Sequence, residues 1–380
     1  MLFNGSWRAV PRAIFVLILG IGAIAPARSD EVNELMTPLP LSLTGQAVPG
    51  YESGAPASPP NVLQLEASDI ERLKRGRYKA GIAMQALDTP WNVLQVEAIT
   101  ATLEKYGVEV IAVMDASQNP VRQAGHLVSM IDRKVNLVFS VPIDPSSQTN
   151  AYRRVANAGI KLVFMDNVVH GMTPGKDYVT VVASDNEKNA MFATEELIKA
   201  IGGSGEIGLI TYSFDAYYSI AARNAGFHKV LSGFPDVKLV ATERFTQPGE
   251  VYNKTISMLS AHPNIKGLFA VWGDPAMQAV AGAKAIGRGD LIVTTNDLGP
   301  DTAMYVARGE ILAIGAQLPY DLGIAEANAG ALALLGKPVP PYISLPALRV
   351  KKANLLSALE LVTKKPVPQL VRDTCGVDCK

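Results

Sequence analysis

Residues 79–115, KAGIAMQALDTPWNVLQVEAITATLEKYGVEVIAVMD, decide the fold. After Lys79 comes a short apolar run, 79–84, of strand length and too short for a helix. From 91 to 106 apolar residues return every three or four positions, the period of an amphipathic helix. A second apolar run, 108–113, completes a strand–helix–strand unit, which builds a parallel pair with the helix on one face.

The same rhythm continues downstream. Strands are expected at 136–141, 161–165, 178–183, 206–211, 237–242, 267–271, 291–295 and 312–316, with helices at 121–133, 146–158 and 187–201 among them. These units exceed one ordinary doubly wound sheet. The fold class is therefore α/β, with two doubly wound parallel-sheet lobes.

The flanks read differently. Arg8 and Arg12 precede an apolar run at 13–25 and then Ala25-Pro26-Ala27, the layout of a signal peptide cleaved after Ala27. The run is shorter than the roughly 20 residues a membrane span requires. The mature protein is expected outside the cytoplasm, and no cysteine near the cleavage site suggests a lipid anchor. Residues 28–77 read as a proline-rich, loosely packed arm followed by a short helix. That helix opens on a capping box formed by Ser68 and Glu71 and ends at Gly76. Cys375 and Cys379, in a tail spanning 364–380, are placed to form a local disulfide. Metal binding there would need further ligands, and the nearest histidine in the sequence is His262. Lys plus Arg and Asp plus Glu number 35 each, so the chain offers no broad electrostatic attraction to nucleic acid.

In open parallel sheets a ligand binds outside the carboxyl ends of the strands. Those positions here are rich in Asp, Asn, Trp and Tyr: 88–92, 140–144, Asp166-Asn167, 212–218, 272–274 and Asn296-Asp297. Such side chains suit a sugar or polyol, whose hydroxyls need acceptors and donors and whose C–H faces need aromatic cover. Any one of these aspartates could instead cap a helix; their collection favours a site. No nucleophile elbow, no phosphate-binding P-loop and no histidine pair at metalloprotease spacing occurs. No cofactor is expected, and no catalytic residue.

Several stretches together resemble a known family. They are Leu87-Asp88-Thr89-Pro90-Trp91, Phe164-Met165-Asp166, Ala183-Ser184-Asp185-Asn186, 221–227 (AARNAGF), 259–263 (LSAHP), Thr295-Asn296-Asp297 and 315–319 (GAQLP). Their order and spacing resemble those of type I periplasmic binding proteins of the ribose-binding class, which share their fold with the effector domains of LacI-type repressors. The resemblance implies two Rossmann-like lobes joined by a three-strand hinge, with ligand in the interlobe cleft. It places the N-terminal lobe at 78–183 plus 318–340 and the C-terminal lobe at 184–317 plus 341–363, with a final strand over 342–350. By the same likeness Trp91 and Asn92 form a first-lobe wall, with Asp88 and Thr89 beside them. Asp166 accepts ligand hydroxyls, Arg223 is the second-lobe guanidinium, Asp297 the second-lobe carboxylate and Gln317 the hinge amide. Trp272, Asp274 and Phe245 (or its neighbour Thr246) complete the pocket. One departure bears on specificity: Asn167 stands where the ribose-type pocket has an arginine, so the cleft is less cationic and more aromatic.

The implied function is a solute receptor, not an enzyme, that closes around a small sugar, polyol or similar solute for an ABC transporter. Its partners are the solute and the transporter's membrane subunits; it acts as a monomer in the periplasm. A sensor subunit serving a membrane kinase or chemoreceptor would use the same pocket. An exported enzyme would need an acid–base pair or metal, and a transcriptional regulator an N-terminal helix-turn-helix; the sequence offers neither.

Overall fold

The computed structural model describes residues 54–213 and 217–379. The expected signal peptide at 1–27, and the arm as far as residue 53, lie outside the described residues.

From Ser58 the chain runs inward, and Leu63 is already buried. Helix α1 (Ala67–Gly76) anchors by a fully buried Leu73 and by Asp69, which pairs with Lys337 at 2.5 Å. The first half then alternates β1 (Lys79–Met84), α2 (Pro90–Lys105), β2 (Glu109–Asp115), α3 (Pro120–Asp132), β3 (Leu137–Ser140), α4 (Thr149–Asn157), β4 (Lys161–Met165) and β5 (Thr180–Ser184). Residues of β3 and β5 are buried throughout, as strands covered on both faces must be. The second half repeats the plan: α5 (Asn186–Ala200), β6 (Gly205–Tyr212), α6 (Tyr218–Leu231), β7 (Val237–Phe245), α7 (Glu250–Ala261), β8 (Ile265–Ala270), α8 (Gly273–Ala285), β9 (Ile292–Asn296), α9 (Pro300–Ala307) and β10 (Ala313–Ala316). Helix α10 (Pro319–Leu334), strands β11 (Tyr342–Leu345) and β12 (Leu348–Lys351), and helices α11 (Leu355–Thr363) and α12 (Gln369–Cys375) complete the chain.

Two six-stranded sheets result, ordered β11-β5-β4-β3-β1-β2 and β12-β10-β9-β8-β6-β7. Every pairing is parallel except β10 with β12. The two sheets therefore share one winding, with strand order reversing between β1 and β3 and again between β6 and β8. Such reversals open a crevice at the carboxyl edge of each sheet. The chain crosses between sheets three times: from β5 into α5, from β10 into α10, and from β11 into β12. Close packing holds the crossings. At Gly315, in β10, a Cβ would stand 1.8 Å from the backbone oxygen of Asn189 in α5, so only glycine lets strand and helix meet. Aromatic rings such as Phe139 and Phe164 in one sheet and Phe227 and Phe269 against the other are fully buried. Burying each is worth roughly 1.5–3 kcal/mol.

Four expectations change. The strand anticipated over 342–350 is two strands, because Pro346 cannot continue a ladder. β11 pairs with β5 in the first sheet, so the stretch assigned to the C-terminal lobe from residue 341 belongs with the N-terminal sheet as far as Leu345. The capping box lies two residues earlier: Glu66 is the N-cap, and its backbone N–H donates to the Asp69 carboxylate at 3.0 Å. The described end of the arm is not loosely packed either. Ser58 donates to the Tyr342 carbonyl at 2.9 Å and accepts from Ser344 N–H at 3.0 Å, adding a rung outside β11. At the other terminus Cys375 and Cys379 are disulfide-bonded, and α12 lies against α9.

Candidate functional site

The carboxyl edges of the two sheets face one cleft holding a cavity of about 200 Å³. Asp88, Thr89, Trp91, Asn92, Asp166, Asn167, Arg223, Trp272, Asp274, Asp297 and Gln317, all expected there, line it. Phe245 does not. It closes β7 with its side chain fully buried, 4.9 Å from the Trp272 ring and 5.6 Å from that of Tyr212. It backs the aromatic wall, and the next residue, Thr246, reaches the cavity.

The first lobe presents the end of β1 and the start of α2. Thr89 is the N-cap of α2, its Oγ1 accepting from Asn92 N–H at 3.3 Å, so the capping role and the lining position coexist. That cap sets the adjoining side chains toward the opening. Asn92 Nδ2 donates to Asp88 at 3.3 Å, and Gln85 Nε2 donates to Asn92 Oδ1 at 2.8 Å. Asp166 follows β4 directly, with φ of 57°, a left-handed turn that aspartate tolerates better than most residues.

The second lobe supplies Arg223 from α6, Trp272 from the end of β8 and Asp297 from the end of β9. Arg223 is almost wholly buried, and its guanidinium forks onto Asp297, Nη2 to Oδ1 at 3.0 Å and Nη1 to Oδ2 at 3.1 Å. Nη1 also donates to the Val271 carbonyl at 2.7 Å. Two-point contact of this kind fixes a guanidinium more firmly than a single bond could.

These bonds form one path through both lobes. Asn186 Nδ2 donates to Asp166 at 3.0 Å, while Arg223 Nε donates to Asn186 Oδ1 at 3.0 Å. Beyond the fork, Gln317 Nε2 donates to Asp297 at 2.7 Å, and Trp91 Nε1 donates to Gln317 Oε1 at 3.1 Å. The path thus leaves the first lobe at Asp166, passes the first crossing at Asn186 and the second at Gln317, and returns to the first lobe at Trp91.

Burial pushes the Asp166 carboxyl up to about 6, against the pull of Arg223 and Asn186. Asp274, on the first turn of α8, is raised by burial and then by Asp88, Asp297 and Asp301. Burial also raises the Tyr217 hydroxyl.

Sequence reasoning missed Asn186 as a site residue, and also Gln85, Gln118, Ser219 and Gln247 on the cavity wall. Asn186 was visible only as the residue after the α5 cap Asp185, within a stretch whose spacing is informative. Among the described residues no three carboxylate, imidazole or thiolate side chains converge as a metal site.

The chain is similar to several known proteins. A D-apiose import binding protein of Actinobacillus succinogenes is 27% identical over 257 residues, covering 67% of this chain and 78% of that protein. A ribose import binding protein of Salmonella typhimurium is 22% identical over 258 residues, covering 68% and 85%. Among solved structures, an ABC transporter solute-binding protein of Mycobacterium smegmatis with bound glycerol superimposes with a TM-score of 0.69 at 24% identity, covering 77% of this chain and 98% of that one. The model of the periplasmic binding protein domain matches residues 80–338. By that match, and by a fold whose two sheets meet at a polar, aromatic-walled cleft, the chain belongs to the periplasmic binding protein family.

Proposed function

We propose that this protein is an exported receptor that captures a small sugar, polyol or similar hydroxylated solute by hinge closure and delivers it to an ABC transporter. The observation that carries the reading is the hydrogen-bonded path from Asp166 through Asn186, Arg223, Asp297 and Gln317 to Trp91. It joins the walls of both lobes to both polar crossings, so a guest bridging the walls engages the groups that set the lobe angle. A guest that makes more contacts in the closed form raises the closed population in proportion to that difference. The carboxylates and amides accept and donate to hydroxyls, and Trp91 and Trp272, from opposite lobes, cover C–H faces. In this reading the lobes are 78–183 with 318–345 and 184–317 with 346–363, the mature chain works in the periplasm as a monomer, and the guest leaves chemically unchanged.

The test is a thermal-shift screen of monosaccharides, polyols and small alcohols on the mature protein, with tryptophan emission followed for each hit. A hit that raises Tm and shifts the emission of Trp91 and Trp272 supports capture with closure. Recovery of a chemically altered hit, or hits that leave the emission unmoved in every case, would overturn it.

A further inference from the structure

The cleft's hydrogen-bonding capacity is lopsided. Its strongest donors are engaged within the protein: three Arg223 nitrogens bond to Asn186, Val271 and Asp297, the Trp91 indole N–H to Gln317, and the Gln317 amide to Asp297. Two of its amide acceptors are not. Gln85 Oε1 and Asn167 Oδ1 are buried with no partner, on side chains 9% and 2% exposed that both line the cavity. Leaving a buried acceptor unmade is costly, so a guest that brings donors to these side chains is favoured.

Charge is lopsided in the same sense. Among the described residues, Asp88, Asp166, Asp274 and Asp297 line the cavity against one cation, Arg223, which already forks onto Asp297. Asp274 makes no ion pair among the described residues, and the charged groups acting on it, Asp88, Asp297 and Asp301, are all carboxylates. A side recess beside the main cavity is walled by Trp91, Trp272, Asp274 and Asp301, so two aromatic faces flank these carboxylates. Carboxylates beside tryptophan faces are the surroundings an organic ammonium prefers. A metal ion is a poorer match, since no close set of three anionic, imidazole or thiolate ligands forms among the described residues.

We propose that the guest is an amino-sugar or amino-polyol, whose ammonium group sits between Trp91 and Trp272 against Asp274 and Asp88 while its hydroxyls donate to Gln85 and Asn167. The inference rests on the reading of the cleft as a polyol site and narrows the ligand class within it.

The experiment uses matched pairs on the mature protein by calorimetry at pH 7: D-glucose with D-glucosamine, D-galactose with D-galactosamine, glucitol with 1-amino-1-deoxyglucitol, and each amine with its N-acetyl derivative. For the best-binding skeleton the amine binds about tenfold tighter than both its neutral parent and its N-acetyl form, as expected when a charge-assisted bond replaces a neutral one. In Asp274→Asn that amine-to-parent ratio falls toward one. Neutral parents binding as tightly as their amines, or a ratio unchanged in Asp274→Asn, would sink the ammonium site while leaving the polyol reading intact. Binding by no hydroxylated compound of either kind would sink both.

Discussion

Asp166 and Asp297 occupy the same place in two different sheets. Each is the first residue after the fourth strand of its lobe, each has left-handed backbone (φ 57° and 70°), and each donates its N–H to the neighbouring fifth strand, at Val182 and Gly315. A tight left-handed step turns the side chain off the strand axis and into the opening. Two carboxylates so placed face each other across the cleft, with Arg223 and Asn186 between them.

Removing either end of that arrangement should weaken capture strongly. Arg223→Ala removes the guanidinium donor from Asn186 and the Val271 carbonyl and leaves Asp297 with Gln317 alone, and Asp166→Ala removes the stronger of the two acceptors of Asn186 Nδ2. Each variant is expected to lose about 2–4 kcal/mol of binding to the best hit of the solute screen. Calorimetry on folded variants checks this; wild-type affinity in both would mean that the guest sits elsewhere.

Binding should also fall at mildly acidic pH. The Asp166 carboxyl titrates near 6 in the folded protein, so acid below that value turns it from an acceptor-only group into a neutral one. Affinity is expected to drop between pH 7.5 and 5, and the drop in this window should be absent from Asp166→Asn. For stability the sign is opposite. The folded value lies above the ordinary 3.8, so the native state holds the extra proton, and stability from this group is lost as pH rises toward 6.

Glu326 offers a separate check on packing. Both its carboxylate oxygens are buried on α10 without a partner, and burial, then Asp166, raises its carboxyl well above the ordinary 4.5. Its contribution to stability is present in acid and declines as pH rises above 4.5. Glu326→Gln, neutral at every pH and nearly the same shape, should therefore raise Tm, and more at pH 8 than at pH 5. A melting curve showing the variant less stable at pH 8 would point to a charged role for the native carboxylate.

What the sequence disclosed was local. Strands and helices followed from period, and the ends of strands followed from where apolar runs gave way to Asp, Asn or Trp. Phe245 was misplaced because Glu243 and Arg244 look like the end of a strand, whereas β7 continues to pair through Tyr212 with Phe245. Alternation then turns Phe245 inward and leaves the cavity to Thr246. Asn186 escaped notice because its partners lie 20 and 37 residues away, at Asp166 and Arg223, a distance no local pattern spans. The third crossing did leave a mark, Pro346, but the apolar residues on either side of it suggested a single strand.

The rung that Ser58 lays along β11 has a bearing beyond the cleft. An uncovered sheet margin is where one molecule can fuse to another, backbone to backbone. On that stretch of the first sheet the chain's own upstream segment already fills the berth, so a stranger could zip on there only after peeling it away.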